Sequence, residues 1–374
     1  MPRVGVISVD GHAKAPWSAY RDYLDPEWRE RYDEWVKPAA ATPDFCHAEL
    51  GPEAQWDARR RVADLEAQGV VAEVLFPNGA TPLSPRFGVD LGPEAIRAGY
   101  AAHNRWLSDV CAEVPGRMYG QALVDFGDVA AAVREVHLAK DRGFVGVLMP
   151  PLVEGGRYFF DPALDPIWAA CVETGLPISQ HGGVGAPNYQ PSGLAAFLVL
   201  ATEHSFFSGR SLWQLILGGV FDRFPDLRVA YVETEAWWLR PVMDLLDNRD
   251  RLGDDWAAAA GRGGAKRPYA RLPSDYLNTN IFMGLSPFMK MAASGIDDGK
   301  DRRLITTANA MVGADYPHPE TALPWLREAV TAFAALPNVT EEGARKVICG
   351  NAAALYGIDL ARLQPQIDRF GLEL

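Results

Sequence analysis

Short apolar runs alternate with longer amphipathic stretches along most of the 374 residues of the chain. The apolar runs predict eight β-strands, at residues 4–9, 70–76, 117–124, 145–149, 177–181, 228–233, 280–284 and 311–315. The stretches between them have the spacing of amphipathic helices, and two of them end in glycine, a common helix stop. Repeated strand-then-helix order is typical of a parallel sheet covered by helices, and eight such units predict an α/β fold, a (β/α)8 TIM barrel.

The domain organisation follows from the same alternation. The length fits either two ordinary domains or one large barrel with insertions. Because the strand–helix order runs almost unbroken, we expect residues 1–374 to form a single barrel domain. It would carry two loop insertions, at about 182–203 and 253–276, and a C-terminal extension with extra helices at about 357–374.

Ionisable residues stand where several of the predicted strands end. They are Asp10 and His12 on the first strand, His181 on the fifth, Glu233 on the sixth and Asp315 on the eighth. Catalytic groups of a (β/α)8 barrel lie at the carboxyl ends of its strands. Each residue alone also has a structural explanation, such as an Asp-Gly turn, a hydrogen-bonded core histidine or a helix cap. Their joint placement favours a site for a divalent cation.

The net charge and the hydropathy of the chain indicate which classes of partner it can bind. The formal net charge of -12 argues against a nucleic-acid partner, because phosphate binding needs clustered Lys and Arg. No stretch reaches about 18 uninterrupted apolar residues, so no membrane span is predicted. The first residues have no basic region followed by a long apolar segment. We therefore expect a cytoplasmic globular protein that acts on a small molecule, without a membrane or nucleic-acid partner.

Several stretches resemble one protein family in their order along the chain. They are VISVDGH, LPISQHGG, GGVFDRFPDLRVAYVETEAWW, VGADYPHPE and KVICGNAAALYG. Together they are similar to the amidohydrolase-2 branch of the amidohydrolase superfamily, the group of aminocarboxymuconate-semialdehyde decarboxylase and the resorcylate decarboxylases. The resemblance implies a barrel with one divalent metal ion, usually Zn²⁺ or Mn²⁺, and a homodimer. It implies that the metal ligands are Asp10, His12, His181 and Asp315.

The sequence departs from the family pattern in two places. Asp10 stands where many members have the first histidine of an H-x-H pair, and a carboxylate can also bind the metal. Glu233, in VETEAWW, stands where the decarboxylases have a catalytic histidine. A carboxylate there could act as a general base, or as a general acid if burial raised its pKa. The alternative is a structural acid that anchors the following helix or an arginine such as Arg240.

Four further residues are weaker candidates for binding substrate. His318 follows the last strand and could reach the rim of the site, although its flanking prolines equally suit a rigid loop. His204 could line the mouth if residues 182–203 fold inward, or it could lie at a helix end or on the surface. Lys14 and Arg210 could each bind a substrate carboxylate.

These residues predict an enzyme. The leading hypothesis is a metal-dependent lyase that decarboxylates a small aromatic or unsaturated carboxylic acid, with Asp315 delivering a proton to the carbon that loses CO2 and Glu233 assisting. One alternative is a metal-dependent hydrolase of an ester, lactone or amide. A second, of a different class, is a degenerate barrel that serves as a binding module.

Overall fold

Eight parallel strands form one sheet in chain order in the computed structural model of the protein. The structure describes residues 3–41, 46–85, 90–150, 157–183, 189–191, 193–259, 261–262, 266–288, 296, 305–321 and 325–374. The strands are β1 (Val6–Ala13), β2 (Val70–Pro77), β3 (Met118–Leu123), β4 (Gly146–Leu148), β5 (Ile178–His181), β6 (Val229–Val232), β7 (Ile281–Leu285) and β8 (Ala310–Val312). The sheet curls into a nearly closed barrel, and this confirms the predicted (β/α)8 fold.

Helices cover the outside of the barrel. They are α1 (Tyr20–Tyr23), α2 (Arg29–Ala40), α3 (Ala58–Glu66), α4 (Pro93–Glu113), α5 (Val129–Asp141), α6 (Asp165–Thr174), α7 (Leu194–Leu217), α8 (Val220–Arg223), α9 (Leu239–Ala259), α10 (Leu326–Ala334), α11 (Glu341–Arg345), α12 (Asn351–Tyr356) and α13 (Leu360–Phe370). A π-helical turn over Lys346–Gly350 joins α11 to α12. In the described ranges, no helix is both long enough and apolar enough to cross a membrane.

The barrel closes where β1 meets the residues that follow β8. The Asp315 amide donates to the carbonyl of Asp10 at 3.0 Å, and the His12 amide donates to the carbonyl of Tyr316 at 2.7 Å. We call this contact, of residues 10–12 with residues 315–316, the closing seam. It lies at the carboxyl end of the strands, where catalytic groups of such barrels are found.

The amino end of the barrel is covered by the C-terminal segment. Val4 and Leu372 form an antiparallel bridge, in which the Val4 amide donates to the carbonyl of Leu372 at 2.9 Å. The Ile367 side chain of α13 packs so closely on Gly5 that a Cβ there would lie 2.8 Å from it. The predicted C-terminal extension therefore packs against the amino end of the barrel, and the site lies at the carboxyl end.

The elements differ from the sequence-based expectation in three places. Helices α1 and α2 lie between β1 and α3, where no helix was predicted. Residues 194–203, expected within the first loop insertion, form the first turns of α7, because LAAFLVLATE is rich in good helix formers but lacks a polar face that would reveal the helical period. In the second predicted insertion, α9 continues past a kink at Gly253, where φ is 37°, as far as Ala259.

Candidate functional site

A register shift in β1 brings Asp10 and His12 to the same site. The pairing of β1 with β2 shifts between Ser8 and Gly11, as in a β-bulge. The Ser8 hydroxyl stabilises the shift, since it donates to the carbonyl of Asp10 at 2.8 Å and accepts from the Ala314 amide at 2.9 Å. Residues two apart on a strand share a face, and the side chains of Asp10 and His12 meet in one cluster.

Gly11, between the two, faces the opposite side of β1. A Cβ at this position would lie 2.5 Å from Oε2 of Glu73 and 3.2 Å from Nη2 of Arg61. Both of these side chains are fully buried. A larger residue would therefore displace a buried ion pair, so the glycine in Asp-Gly-His is required by this close approach.

Four ionisable side chains converge above the barrel. Asp10, His12, His181 and Glu233 each offer one ligand-type atom, and these atoms lie within 4.8 Å of one another. The Nε2 atom of His181 is 3.3 Å from Oδ1 of Asp10 and 3.2 Å from Oε2 of Glu233. The structure thus brings together strand ends 1, 5 and 6, as the sequence predicted.

Asp315 and His318 complete the cluster from the eighth strand end. Oδ1 of Asp315 lies 3.2 Å from Nε2 of His12 and 2.9 Å from Nδ1 of His318. The rings of His12 and His318 stack with their centroids 3.7 Å apart. His318 therefore lies inside the cluster, whereas the sequence suggested a place at the rim. Glu320 has a ligand-type atom within 4.8 Å of those of Glu233, Asp315 and His318, and the sequence analysis missed it.

The cluster carries an excess of buried negative charge. Burial would raise the pKa of Asp10, but the charge and hydrogen bond of His181 and the charge of His12 hold it below its usual range. Burial raises the pKa of Glu233 well above its ordinary value; the His181 charge opposes this, and Asp315 and Asp10 add to it. Burial would lower the pKa of His181, yet the charges of Asp10 and Glu233 raise it to about 10. A divalent cation in the cluster would take the place of the His181 proton, because metal binding releases protons from its ligands, and it would relieve the repulsion between the carboxylates.

The donor atoms of the cluster fit a divalent cation. Burial and the charge of His318 lower the pKa of His12, which keeps the imidazole in the neutral form that binds metals. Its Nε2 atom lies 3.2 Å from Oδ1 of Asp315, yet these two atoms and Oδ2 of Asp315 are buried and make no hydrogen bond of suitable direction among the described residues. Buried polar groups normally have partners, so lone pairs that converge without them are suited to a metal ion.

Two of the acidic residues hold left-handed backbone conformations. Glu233 has a φ of 54° and Asp315 a φ of 59°, which is uncommon for residues other than glycine. At the first of these, the chain passes so close to Gly182 that a Cβ on Gly182 would lie 2.0 Å from the Glu233 carbonyl oxygen. Strained backbone of this kind concentrates at functional sites, where the surrounding structure maintains it.

Hydrogen bonds behind the cluster orient its imidazoles. The Nδ1 atom of His12 is 3.2 Å from the carbonyl of Pro77, and Nδ1 of His181 is 3.0 Å from that of Gly182. This leaves Nε2 of both rings for the centre of the cluster. Nε2 of His318 lies 3.1 Å from Oδ1 of Asn78, whose amide group donates to Gln55 at 2.7 Å. Gln55 is buried, and no feature of the sequence pointed to it.

The other three residues predicted to bind substrate are Lys14, His204 and Arg210. Lys14 is buried two residues after His12, with its ammonium 4.5 Å from the centre of the Trp17 ring. His204 lies on α7, where burial lowers its pKa and the charge of His181 acts in the same direction. Arg210 is half-buried further along the same helix. None of these three belongs to the group of potential metal ligands in the described part of the chain.

A largely apolar cavity adjoins the cluster. Its volume is about 260 Å³, close to the lower end of ligand pockets. Leu123, Leu148, Met149, Tyr100 and His181 are among the residues that line it. The cavity therefore suits a small, largely apolar molecule with a polar group near His181.

Comparison with known proteins agrees with the barrel fold. An amidohydrolase from Mycobacterium avium subsp. paratuberculosis K-10 has a similar fold, with a TM-score of 0.69 at 20% identity over 95% of this chain and 99% of that chain. The 2,6-dihydroxybenzoate decarboxylase from Rhizobium gives 0.63 at 17% identity over 95% and 99%. The 5-carboxyvanillate decarboxylase from Novosphingobium aromaticivorans DSM 12444, complexed with manganese and 4-hydroxy-3-methoxy-5-nitrobenzoic acid, gives 0.67 at 20% identity over 95% and 96%.

The sequence match is more specific than the likeness of fold. A family model described as Amidohydrolase matches residues 9–273. This range is more than half of the 374 residues and contains the end of β1 and all of β2 to β6, with Asp10, His12, His181 and Glu233. The resemblance inferred from the sequence is thereby confirmed, and the chain belongs to the amidohydrolase family.

Proposed function

We propose that the protein is a metal-dependent carboxy-lyase that decarboxylates a small aromatic or unsaturated carboxylic acid. The observation that carries this proposal is the convergence of Asp10, His12, His181 and Asp315 beside the apolar cavity. Two similar structures, a 2,6-dihydroxybenzoate decarboxylase and a manganese-containing 5-carboxyvanillate decarboxylase, act on acids of this class and support it. An assay that follows CO2 release and acid release in parallel distinguishes decarboxylation from hydrolysis.

The proposed cofactor is one divalent ion, Mn²⁺ or Zn²⁺, held by Asp10, His12, His181 and Asp315. Two imidazoles and two carboxylates suit either ion, and the manganese in the carboxyvanillate decarboxylase supports the first. When bound, the ion supplies Lewis acidity to a carboxylate or phenolic oxygen of the substrate. When Asp10 and Asp315 are both ionised, their charges offset that of the ion.

Asp315 is the proposed proton donor. On decarboxylation, the bond from the carboxyl carbon to its neighbour breaks, CO2 leaves, and the electron pair stays on the neighbouring carbon. Protonated Asp315 transfers its proton to that carbon and regains one from water. Glu233, whose pKa burial raises well above its ordinary value, lies 3.2 Å from Nε2 of His181 and is the group proposed to assist this proton transfer.

Replacing Glu233 with Gln tests its part in this proton transfer. We expect the amide to lower kcat by about 10–100-fold, below the full range of general acid–base catalysis because Glu233 assists rather than donates. Metal content and melting temperature should stay near those of the unmodified chain. If the melting temperature falls while kcat is unchanged, Glu233 is structural and its proposed role is wrong.

The degenerate-barrel alternative makes a different prediction about metal. A barrel that only binds a partner has no need to keep a metal ion. We expect the purified protein to retain close to one equivalent of Mn²⁺ or Zn²⁺ after dialysis, as measured by elemental analysis. Metal far below one equivalent, with no uptake of added Mn²⁺, would contradict the proposed enzyme.

The chain is proposed to act as a homodimer. The first turns of α7 leave large apolar side chains in solvent, with Leu194 74% and Leu198 54% exposed. Contiguous apolar patches mark interaction sites, and two-fold pairing is the commonest arrangement of soluble oligomers. We expect light scattering at micromolar concentration to give twice the chain mass, and Leu198→Glu to give the monomer mass. A monomer mass for the unmodified chain would contradict the dimer.

A further inference from the structure

A buried ion pair lies directly behind the strand that carries Asp10 and His12. Arg61 of α3 and Glu73 of β2 are both almost fully buried. The guanidinium binds the carboxylate through two hydrogen bonds, Nε to Oε1 at 3.0 Å and Nη2 to Oε2 at 2.9 Å. This planar, two-point contact fixes the orientation of the arginine.

The remaining donors of Arg61 hold backbone on both sides of the closing seam. Its Nη1 atom donates to the carbonyls of His12 at 2.7 Å and Ala54 at 2.6 Å. Its Nη2 atom reaches the carbonyl of Tyr316 at 3.5 Å, and the guanidinium lies 4.7 Å from the centre of the Tyr316 ring. One side chain thus contacts β1 at His12 and the segment after β8 next to Asp315.

The closing seam needs such a support because few backbone bonds hold it. β8 ends at Val312, so the register between Asp10–His12 and Asp315–Tyr316 is set beyond the regular strand. Gly11 lets the ion pair approach the backbone, since its missing Cβ leaves room for Glu73 and Arg61. The ion pair therefore lies against the back of β1 at Gly11, between the two residues, Asp10 and His12, whose side chains belong to the cluster.

We propose that Arg61, held by Glu73, is a positioning residue that sets the separation of His12 and Asp315 and thereby the affinity of the site for its divalent ion. The inference rests on the proposed metal-dependent function. Partners behind metal ligands typically change metal affinity by about 10–100-fold when altered. A lysine at position 61 would keep the charge. It could not contact Glu73 at two points and the carbonyls of His12 and Tyr316 at the same time.

Mn²⁺ binding to Arg61→Lys tests the proposal. The metal-free protein is titrated with MnCl2 by calorimetry, and the bound ion is examined by electron paramagnetic resonance. We expect Arg61→Lys to bind Mn²⁺ about 10–100-fold more weakly and with a changed spectrum. Should this variant fail to fold, the double replacement Arg61→Met with Glu73→Leu removes both charges together, a change that buried ion pairs often tolerate. The double variant loses the same contacts with backbone carbonyls and should show the same loss of Mn²⁺ affinity.

Arg117→Lys is the matched control. Arg117 pairs with Glu66 at 2.8 Å, and it donates to the carbonyl of Val71 near the amino end of the barrel. This replacement should lower thermal stability while Mn²⁺ affinity and the spectrum stay unchanged. If Arg61→Lys binds Mn²⁺ with unmodified affinity and spectrum, the positioning role is wrong although the proposed function stands. An unmodified chain that binds no divalent ion overturns the proposed function and this inference with it.

Discussion

Asp315→Asn is expected to lower kcat by about 10²–10⁴-fold, the usual contribution of a positioned general acid or base. The amide keeps an oxygen that can bind the divalent ion but loses the proton that must reach the substrate carbon. Asparagine also tolerates the left-handed backbone that Asp315 adopts at a φ of 59°. The folded barrel should therefore survive with its metal, and kcat, metal content and melting temperature measure the three effects separately.

Asp64→Asn provides a control for that replacement. Asp64 accepts a hydrogen bond from the Tyr316 hydroxyl at 2.7 Å, so it contacts the residue after Asp315 without belonging to the cluster. Its replacement should leave kcat close to that of the unmodified chain. If Asp315→Asn keeps most of its activity with metal bound, Asp315 is not the proton donor.

His181→Ala should lose both the metal and the activity. His181 supplies Nε2 between Asp10 and Glu233, and its removal leaves three of the four proposed ligands around the ion. We expect Mn²⁺ affinity to fall by more than about 100-fold, beyond the effect of altering a residue behind a ligand. Turnover should drop to background at metal concentrations that saturate the unmodified chain. Titration with MnCl2 and a turnover assay measure the two losses.

His137→Ala is the control for the loss of an imidazole. His137 lies on α5, outside the cluster, and has no proposed role. This variant should bind Mn²⁺ and turn over substrate as the unmodified chain does. A His181→Ala protein that binds Mn²⁺ with unmodified affinity would exclude His181 as a ligand.

Much of the site could be predicted from the sequence because a barrel fixes where its strand ends meet. Once eight strands were recognised, the polar residues that end apolar runs had to converge, whatever the intervening loops did. Strand order, which hydrophobic periodicity reveals, therefore predicts that Asp10, His181 and Asp315 meet although they are far apart in the chain. The structure has them within one cluster.

Features that depend on close packing could not be predicted in this way. The bulge in β1 is stabilised by the Ser8 hydroxyl, which accepts a hydrogen bond from the Ala314 amide beyond β8, and no local sequence pattern encodes this contact. His318 was expected at the rim because the path of the chain after Asp315 is set by tertiary contacts. Glu73 did leave a signal, since a single acid in the apolar run VVAEVLF must have a buried partner. That partner, Arg61, lies in the preceding helix and could be assigned only from the structure.

CO2 release by the metal-free and the Mn²⁺-loaded protein shows whether the chain is a metal-dependent decarboxylase. The substrates are hydroxylated benzoic acids, with aromatic lactones and esters of the same size as the comparison, and acid release is followed in parallel. The account predicts CO2 from at least one acid, only with the metal bound, and no acid release from the lactones or esters. Metal-dependent acid release without CO2 would show a hydrolase, and neither product from the loaded protein would contradict the proposed enzyme.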